Sequence, residues 1–175
     1  MSNIVIISGS PTATSRLFAI TDFAKAQLEQ QGHHVEHIKV AELSAEALIK
    51  ADFKHPDIIE ASKRVEEADG VIIASPVYKA TYTGVLKTFL DLLPQKGLAH
   101  KPILPLFIGG TLAHLLAIDY GVKPLLTALG AQTIHTGVYA IDEWVKKDEQ
   151  LQYLIDEQLR LRLEQAVAYY SAWLK

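Results

Sequence analysis

The sequence predicts one α/β domain over residues 1–175, in which helices cover both faces of a five-stranded parallel sheet. Two observations predict this class. Short apolar runs rich in β-branched residues alternate with segments of helical periodicity along the chain. The apolar runs are continuous, which is typical of strands buried on both faces of a parallel sheet. A chain of 175 residues, 49% of them hydrophobic, can bury such a core as a single domain.

Three strands and two helices are predicted in the first half of the chain. Gly9 ends the first strand, and Thr14 and Ser15 are placed to cap the helix that follows. Gly32 ends that helix, as a glycine after the last turn commonly does. Residues 41–56 show no clear period and stay unassigned. The predicted strands cover residues 3–8, 34–40 and 70–75, and the predicted helices cover residues 17–28 and 58–68.

The second half of the chain continues the alternation of helix and strand. Pro94 stops one predicted helix, and Gly130 closes the next. A long amphipathic helix is predicted from Leu151 to Leu174, where apolar residues recur at helical spacing. The other predicted elements are helices at residues 85–93 and 112–129 and strands at residues 102–108 and 132–138.

The helix predicted for residues 112–129 contains Pro124 in its interior. Proline has no N–H group, and its ring crowds the carbonyl of the residue four positions earlier, Tyr120. Gly121 adds conformational freedom beside it. We therefore expect a kink or a π-bulge between Tyr120 and Pro124, and such bulges often mark functional sites. A simple proline kink with Tyr120 in the core is the alternative.

Five strands in this pattern suggest the flavodoxin-like order 2-1-3-4-5. In that fold, ligands bind beyond the carboxyl ends of the strands, at the switch point between strands 1 and 3. Three predicted loops occupy this edge, and each contains groups that suit a planar, phosphorylated ligand. They are residues 9–16, 76–84 and 109–114.

The loop of residues 9–16 has the composition of a phosphate site. Arg16 lies beside several hydroxyls, and the following helix adds unpaired N–H groups and the positive end of its dipole. The glycine patterns of dinucleotide-binding Rossmann folds and of P-loops are absent, which disfavours both readings. An ordinary capped turn is the alternative. The hydroxyls belong to Ser10, Thr12, Thr14 and Ser15.

The other two loops suit a flat ring. Tyr78 and Tyr82 could stack on a ring or wall it, while exposed backbone N–H groups could bind its heteroatoms. Lys79 favours negative charge on such a ring. Gly109 and Gly110 let backbone approach a ligand closely. For the loop of residues 76–84, the alternative is a turn that begins at the proline and whose tyrosines pack at an interface. For the loop of residues 109–114, the alternative is an ordinary connection between a strand and a helix.

Composition excludes several classes of function. The chain has no cysteine, which excludes disulfides, thiol catalysis and cysteine metal sites. A formal net charge of -3 argues against nucleic acid as a partner and against a strongly acidic electron carrier. No metal site is predicted, because the histidines lack carboxylates at ligand spacing. The chain also lacks a signal peptide and a membrane span, so a cytoplasmic location is expected.

The loop motifs together resemble the NADPH-dependent FMN reductase family, and most closely the SsuE-type flavin reductases of alkanesulfonate monooxygenase systems. The likeness runs from the first strand to about residue 138. One position departs from the family pattern, since Thr12 stands where relatives often have an arginine. The motifs that carry the resemblance are Gly9-Ser10-Pro11 with Ser15-Arg16, then residues 74–80 with Tyr82-Thr83-Gly84, then Gly109-Gly110-Thr111 with residues 113–117 and Asp119-Tyr120.

The resemblance implies FMN as the flavin and NADPH as its reductant, with NADH as a further candidate. It implies a homodimer or homotetramer, an FMNH2-dependent monooxygenase as partner, and a π-helix around Tyr120 that helps to set how firmly flavin is held. Hydride transfer then depends on alignment, with no catalytic acid or base. The implied FMN-binding residues are Ser10, Thr12, Ser15, Arg16, Leu17, Pro76, Val77, Tyr78, Lys79, Gly109, Gly110 and Thr111.

Three other functions are also compatible with the sequence. One is a reductase that keeps its FMN and acts on quinones or azo dyes, and another is a flavodoxin-type electron carrier. The third is a nucleotide-binding module without catalysis. Sulfonate metabolism is favoured by one further observation, because Met1 is the only sulfur-containing residue in the chain. Such a composition suits a protein made during sulfur starvation.

Overall fold

A computed structural model of the protein describes residues 1–148 and 152–174. It contains a five-stranded sheet in the order β2-β1-β3-β4-β5, with every neighbouring pair parallel. This confirms the predicted flavodoxin-like class. The strands are β1 (Asn3–Ser8), β2 (His34–Lys39), β3 (Gly70–Pro76), β4 (Ile103–Gly109) and β5 (Val138–Ile141).

Helices cover both faces of this sheet. Alternate residues of β1 point to opposite layers, so Ile4 and Ile6 pack with α1 and α6, while Val5 and Ile7 pack with the remaining helices. No helix in the described ranges is long and apolar enough to cross a membrane. The helices are α1 (Leu17–Gln30), α2 (Ala45–Lys50), α3 (Pro56–Glu67), α4 (Gly84–Leu90), α5 (Lys123–Ala128) and α6 (Glu157–Ser171).

The unassigned stretch of residues 41–56 contains the short helix α2. Ser44 caps it, because its hydroxyl accepts a hydrogen bond from Ala47 N–H at 3.3 Å. At α1 the predicted capping is only partly right. Ser15 Oγ accepts from Leu17 N–H at 3.2 Å, whereas Arg16 occupies the cap position itself.

The strand predicted for residues 132–138 is wrong, because β5 begins where that prediction ends. Ile103 N–H donates to Thr133 O at 2.9 Å, so the polar groups of Ile103 face the last strand. Pro105, two residues on, faces the same way and has no N–H to donate. Gly137, at a φ of +85°, then carries the chain past Pro105. A Cβ on Gly137 would lie 2.9 Å from the carbonyl oxygen of Pro105.

The terminal helix is shorter than predicted, since α6 begins at Glu157. Asp156 caps it by accepting a hydrogen bond from Gln158 N–H at 2.9 Å. The apolar residues before the cap belong to a strand that pairs in an antiparallel hairpin rather than to the helix. Leu151, where the predicted helix starts, lies outside the described residues. The hairpin strands are β6 (Val145–Lys147) and β7 (Tyr153–Ile155).

The irregularity predicted beside Pro124 is confirmed as a π-helix at Ala117–Val122. Lys123 N–H donates to Ile118 O, an i→i−5 bond. Pro124 was expected inside one long helix, but it lies in the first turn of α5. At that position the missing N–H of proline costs no helical hydrogen bond. The predicted helix is therefore three pieces, namely a 3₁₀ turn at Leu112–His114, the π-helix and α5.

A buried polar pair lies beneath the first loop. Ser8 is fully buried at the end of β1, and its hydroxyl is hydrogen-bonded to His37 Nε2 at 2.9 Å. Burial lowers the pKa of His37 to about 4, with smaller contributions from the charges of Lys39, Lys25 and Arg64. The imidazole is consequently neutral at pH 7.

This pair predicts a loss of stability in mild acid. The folded-state pKa of His37 lies below the value of 6.5 for a free side chain, so its stabilisation is complete above pH 6.5 and is lost as pH falls towards 4. We expect about 2–3 kcal/mol of the free energy of unfolding to disappear across this window. Urea unfolding between pH 7 and pH 4.5 measures it. His37→Gln should flatten the profile, whereas His114→Gln, at an exposed histidine, should leave it unchanged.

Candidate functional site

Three loops meet at the carboxyl edge of the sheet, as predicted. Ser8 pairs with Ala74, and Pro76 pairs with Ile108, so β1, β3 and β4 end side by side. Gly9 N–H continues the ladder past β1 by donating to Ala74 O at 2.9 Å. The loops that follow these strands therefore start next to one another at the switch point of the sheet.

Thr83 ties the first loop to the second. Its buried hydroxyl donates to Gly9 O at 2.6 Å and accepts from Leu86 N–H at 3.1 Å, which also caps α4. Thr83 N–H donates to Ser75 Oγ at 3.0 Å, so the loop between Ser75 and Thr83 is closed at its base. Gly9 must be a glycine, because a Cβ there would lie 2.4 Å from Leu86 Cβ and 2.7 Å from Thr83 Oγ1.

Ser75 and Thr83 were not assigned a role from the sequence. A threonine directly before a helix signals an N-cap, which is visible in the sequence. The bond to Gly9 O joins residues 74 positions apart, and no local pattern encodes it. Because both side chains are buried, we assign them to shaping the site rather than to contact with a ligand.

The second loop contains a tight turn with unusual backbone. Tyr78 N–H donates to Thr81 O at 3.0 Å, and Thr81 N–H donates back at 3.4 Å. Lys79 and Ala80, between them, have φ values of +51° and +72°. This geometry matches a type I′ turn, which normally takes asparagine or glycine, and each such residue costs on the order of 1 kcal/mol. The turn exposes Tyr78, which is 51% accessible, and Lys79 beside it.

The third loop is held from below by Tyr139 of β5. Its hydroxyl donates to Thr111 O at 2.8 Å. Burial, and secondarily the charge of Asp142, raises the pKa of Tyr139, which keeps this donor protonated at neutral pH. Gly109 leaves room for the phenol, while Gly110 and Thr111 are exposed above it.

The first loop presents free donors at the start of α1. Within the described part of the chain, no residue accepts a hydrogen bond from the backbone N–H groups of Ala13, Thr14 and Arg16. The Ser10 hydroxyl, by contrast, is used inside the loop, where it donates to Thr12 O at 3.1 Å and accepts from Thr12 N–H. Such free N–H groups at a helix start are a common anion site.

The terminal hairpin braces this loop from outside. Arg16 Nε donates to Val145 O at 2.9 Å, which leaves its two terminal nitrogens without a partner among the described residues. Tyr153 OH donates to Thr14 O at 2.5 Å. Between Arg16 and the hairpin lies an open cavity of about 810 Å³, lined also by residues 142–147 and Asp156.

These features fit FMN. The loops at residues 9–16, 76–83 and 109–114 contain no aspartate or glutamate, while Arg16 and Lys79 supply positive charge. The free N–H groups of the first loop suit a phosphate dianion. Exposed backbone in the second and third loops suits the edge of a flat heteroaromatic ring. Ser10, Thr12, Ser15, Arg16 and Leu17 lie in one segment, and the ring residues Pro76 to Lys79 lie next to Gly109, Gly110 and Thr111.

A sheet of this order, with free N–H groups after β1 and exposed loops after β3 and β4, defines a flavodoxin-like domain suited to a planar, phosphorylated cofactor. The chain belongs to the NADPH-dependent FMN reductase family, whose model matches residues 2–146. The protein is therefore an NAD(P)H-dependent FMN reductase, which confirms the enzyme class and the cofactors expected from the sequence.

Individual relatives agree with this assignment. The chain is 41% identical over 166 residues to an FMN reductase (NADPH) of Pseudomonas putida KT2440, covering 92% of this chain and 84% of the relative. It is 44% identical over 142 residues to an FMN reductase (NADPH) of Escherichia coli K12, covering 81% and 74%. The solved apo form of an NADH:FMN oxidoreductase, EmoB, superposes with a TM-score of 0.90 at 35% identity, covering 100% of this chain and 91% of that one.

The bond between Thr83 and Gly9 predicts that removing the Thr83 hydroxyl strongly lowers the free energy of unfolding. Thr83→Val keeps the shape of the side chain but leaves Gly9 O and Leu86 N–H buried without partners, which should lower the free energy of unfolding by about 2–4 kcal/mol. Thr88→Val is the matched control, because its half-buried hydroxyl bonds only Val85 O within the same helix. It should cost under about 1 kcal/mol. Equal losses in urea unfolding would contradict the role given to Thr83.

Proposed function

We propose that this reductase releases reduced FMN to a partner monooxygenase, in the assimilation of sulfur from sulfonates. The observation that carries the proposal is a first loop with free backbone N–H groups and Arg16, next to two exposed loops that add Lys79, with no reactive side chain among them. Such a site aligns and holds a flavin without forming a bond to it. The resemblance to SsuE-type reductases and the near absence of sulfur from the chain support the sulfonate setting.

The flavin is proposed to lie across all three loops. The free N–H groups of Ala13, Thr14 and Arg16 and the terminal nitrogens of Arg16 would hold its phosphate, with Ser10, Thr12 and Ser15 shaping that loop. Backbone of residues 76–79 would bind the ring edge, with Gly109, Gly110 and Thr111 on its other side. When bound, FMN supplies a two-electron acceptor for hydride from the nicotinamide.

The chain's own residues then have three tasks. The turn at Tyr78 and Lys79 fixes the ring plane so that a nicotinamide can stack at roughly 3–3.5 Å, the near-attack distance. Lys79 places positive charge beside the ring, which favours the electron-rich state. The closed base at Ser75 and Thr83 keeps this geometry rigid between turnovers.

The assembly is proposed to be a homodimer or a homotetramer. Tyr120 of the π-helix is 80% accessible in the single chain, far more than a core tyrosine. Leu112, Leu115 and Leu116 are also about half accessible on the same segment. We propose that Tyr120 packs against another copy there and helps to set how firmly the flavin is held.

The function is tested on the purified protein in two measurements. The visible spectrum should show little flavin, and NADPH oxidation should require added FMN and rise with its concentration. This is the behaviour of a reductase that treats flavin as a substrate. Flavin retained through purification, with ping-pong turnover of quinones or azo dyes, would contradict the transfer role and favour a reductase that keeps its FMN. Stabilised one-electron states without NADPH oxidation would favour an electron carrier.

The phosphate assignment is tested by Arg16→Ala. Losing a charge-assisted bond should weaken FMN binding by about 1.5–3 kcal/mol, measured by quenching of FMN fluorescence. Arg160→Ala is the control, since it removes the same charge from a residue whose ion pairs, with Glu157 and Glu164, lie within α6. An unchanged FMN dissociation constant in Arg16→Ala would remove that residue from the site.

A further inference from the structure

The π-helix lies directly behind the turn of the second loop. A Cβ built on Gly121, in the π-helix, would lie 2.5 Å from Thr81 Oγ1. Real Cβ atoms essentially never approach another atom so closely, so only glycine fits at this position. The backbone conformation of Gly121 does not itself demand glycine, because its φ is not in the left-handed region. The requirement comes from Thr81 alone.

The Thr81 side chain is positioned by this contact rather than by a side-chain hydrogen bond. Its hydroxyl is buried, and no described residue pairs with it. An unpaired buried hydroxyl is costly, so packing against the π-helix must compensate for it. Thr81 is branched at Cβ, which restricts rotation about χ1 and keeps the side chain stiff at this contact. The side chain therefore acts as a rigid spacer.

The turn that precedes Thr81 is not stable on its own. Lys79 and Ala80 both have positive φ, which neither residue type prefers. The two backbone bonds that close the turn join Tyr78 and Thr81, and one of them is long, at 3.4 Å. A turn that is unfavourable locally persists only where the surrounding structure determines it.

We propose that Thr81 is a positioning residue for the flavin, and that the backbone of the π-helix at Gly121 is the rear wall that sets the position of the Tyr78–Lys79 turn. The inference rests on the proposed flavin site, in which that turn contacts the ring. It assigns to the π-helix a task within the single chain, separate from the packing of Tyr120 against another copy.

The test is the FMN affinity of Gly121→Ala. The added methyl must displace Thr81 and with it the turn, which moves the backbone of that turn away from the ring. We expect FMN binding, measured by fluorescence quenching, to weaken by up to about tenfold, which corresponds to the loss of one hydrogen bond. Alanine ordinarily stabilises a helix relative to glycine. In the apoprotein the contact with Thr81 should cancel that gain in stability.

Rescue by a second substitution separates positioning from general damage. In Thr81→Ala the hydroxyl and the methyl are gone, and a Cβ at Gly121 would then meet Thr81 Cβ at 3.6 Å, an ordinary contact. The double variant Gly121→Ala/Thr81→Ala should therefore bind FMN more tightly than Gly121→Ala alone. Thr81→Ala by itself should weaken binding, because it leaves a gap behind the turn.

A glycine at the start of α4 provides the control. A Cβ on Gly84 would meet nothing within 4 Å, so Gly84→Ala should bind FMN as the natural protein does. Wild-type affinity in Gly121→Ala, or a double variant no better than the single one, would overturn the inference and leave the proposed flavin site intact. If the flavin site itself were assigned wrongly, neither Arg16→Ala nor Gly121→Ala would change the FMN affinity.

Discussion

The hydroxyl of Thr83 joins the first two loops of the site, because it bonds Gly9 O while it caps α4. With Ser75 accepting from Thr83 N–H, these groups close the base of the loop after β3 and fasten it to the end of β1. Everything above that base depends on it. The loop with the free N–H groups starts one residue beyond Gly9, and the turn at Tyr78 and Lys79 lies within the closed loop.

The candidate site above this base is shaped mainly by backbone geometry. Its first loop presents N–H groups, its second a turn whose two central residues are at positive φ, and its third a pair of glycines over Tyr139. These are locally unfavourable or under-bonded arrangements, and each is stabilised by contacts from another element. The hairpin braces Thr14 and Arg16, β5 supports Thr111, and the π-helix backs Thr81. Such pre-organisation suits a reaction that needs alignment rather than an acid or a base.

Sequence patterns located most of this architecture, and the failures have definite physical causes. β1, β3 and β4 were predictable because each is a mainly apolar run that ends at a glycine or a proline, whereas β2 was predicted from a weak alternation of apolar and polar residues. β5 was placed too early because Pro105, on the neighbouring strand, has no N–H to offer it, and that effect acts across the sheet. The start of α6 was misplaced because apolar residues of β7 precede it at spacings that also match a helix.

The sequence by itself determined the fold class, and it predicted three candidate ligand loops and an irregular helix near Pro124. Those predictions follow from apolar runs, from glycine, hydroxyl and cationic residues at strand ends, and from a proline three residues after a glycine, all of them local. Only the tertiary structure decided how the loops are held. The partners of Thr83, Arg16, Thr81 and Tyr139 come from distant parts of the chain, and the bond between Thr83 and Gly9 alone spans 74 positions. Contacts at such separation depend on sheet order and register, which bring strand ends together in space without leaving a periodic signal along the sequence.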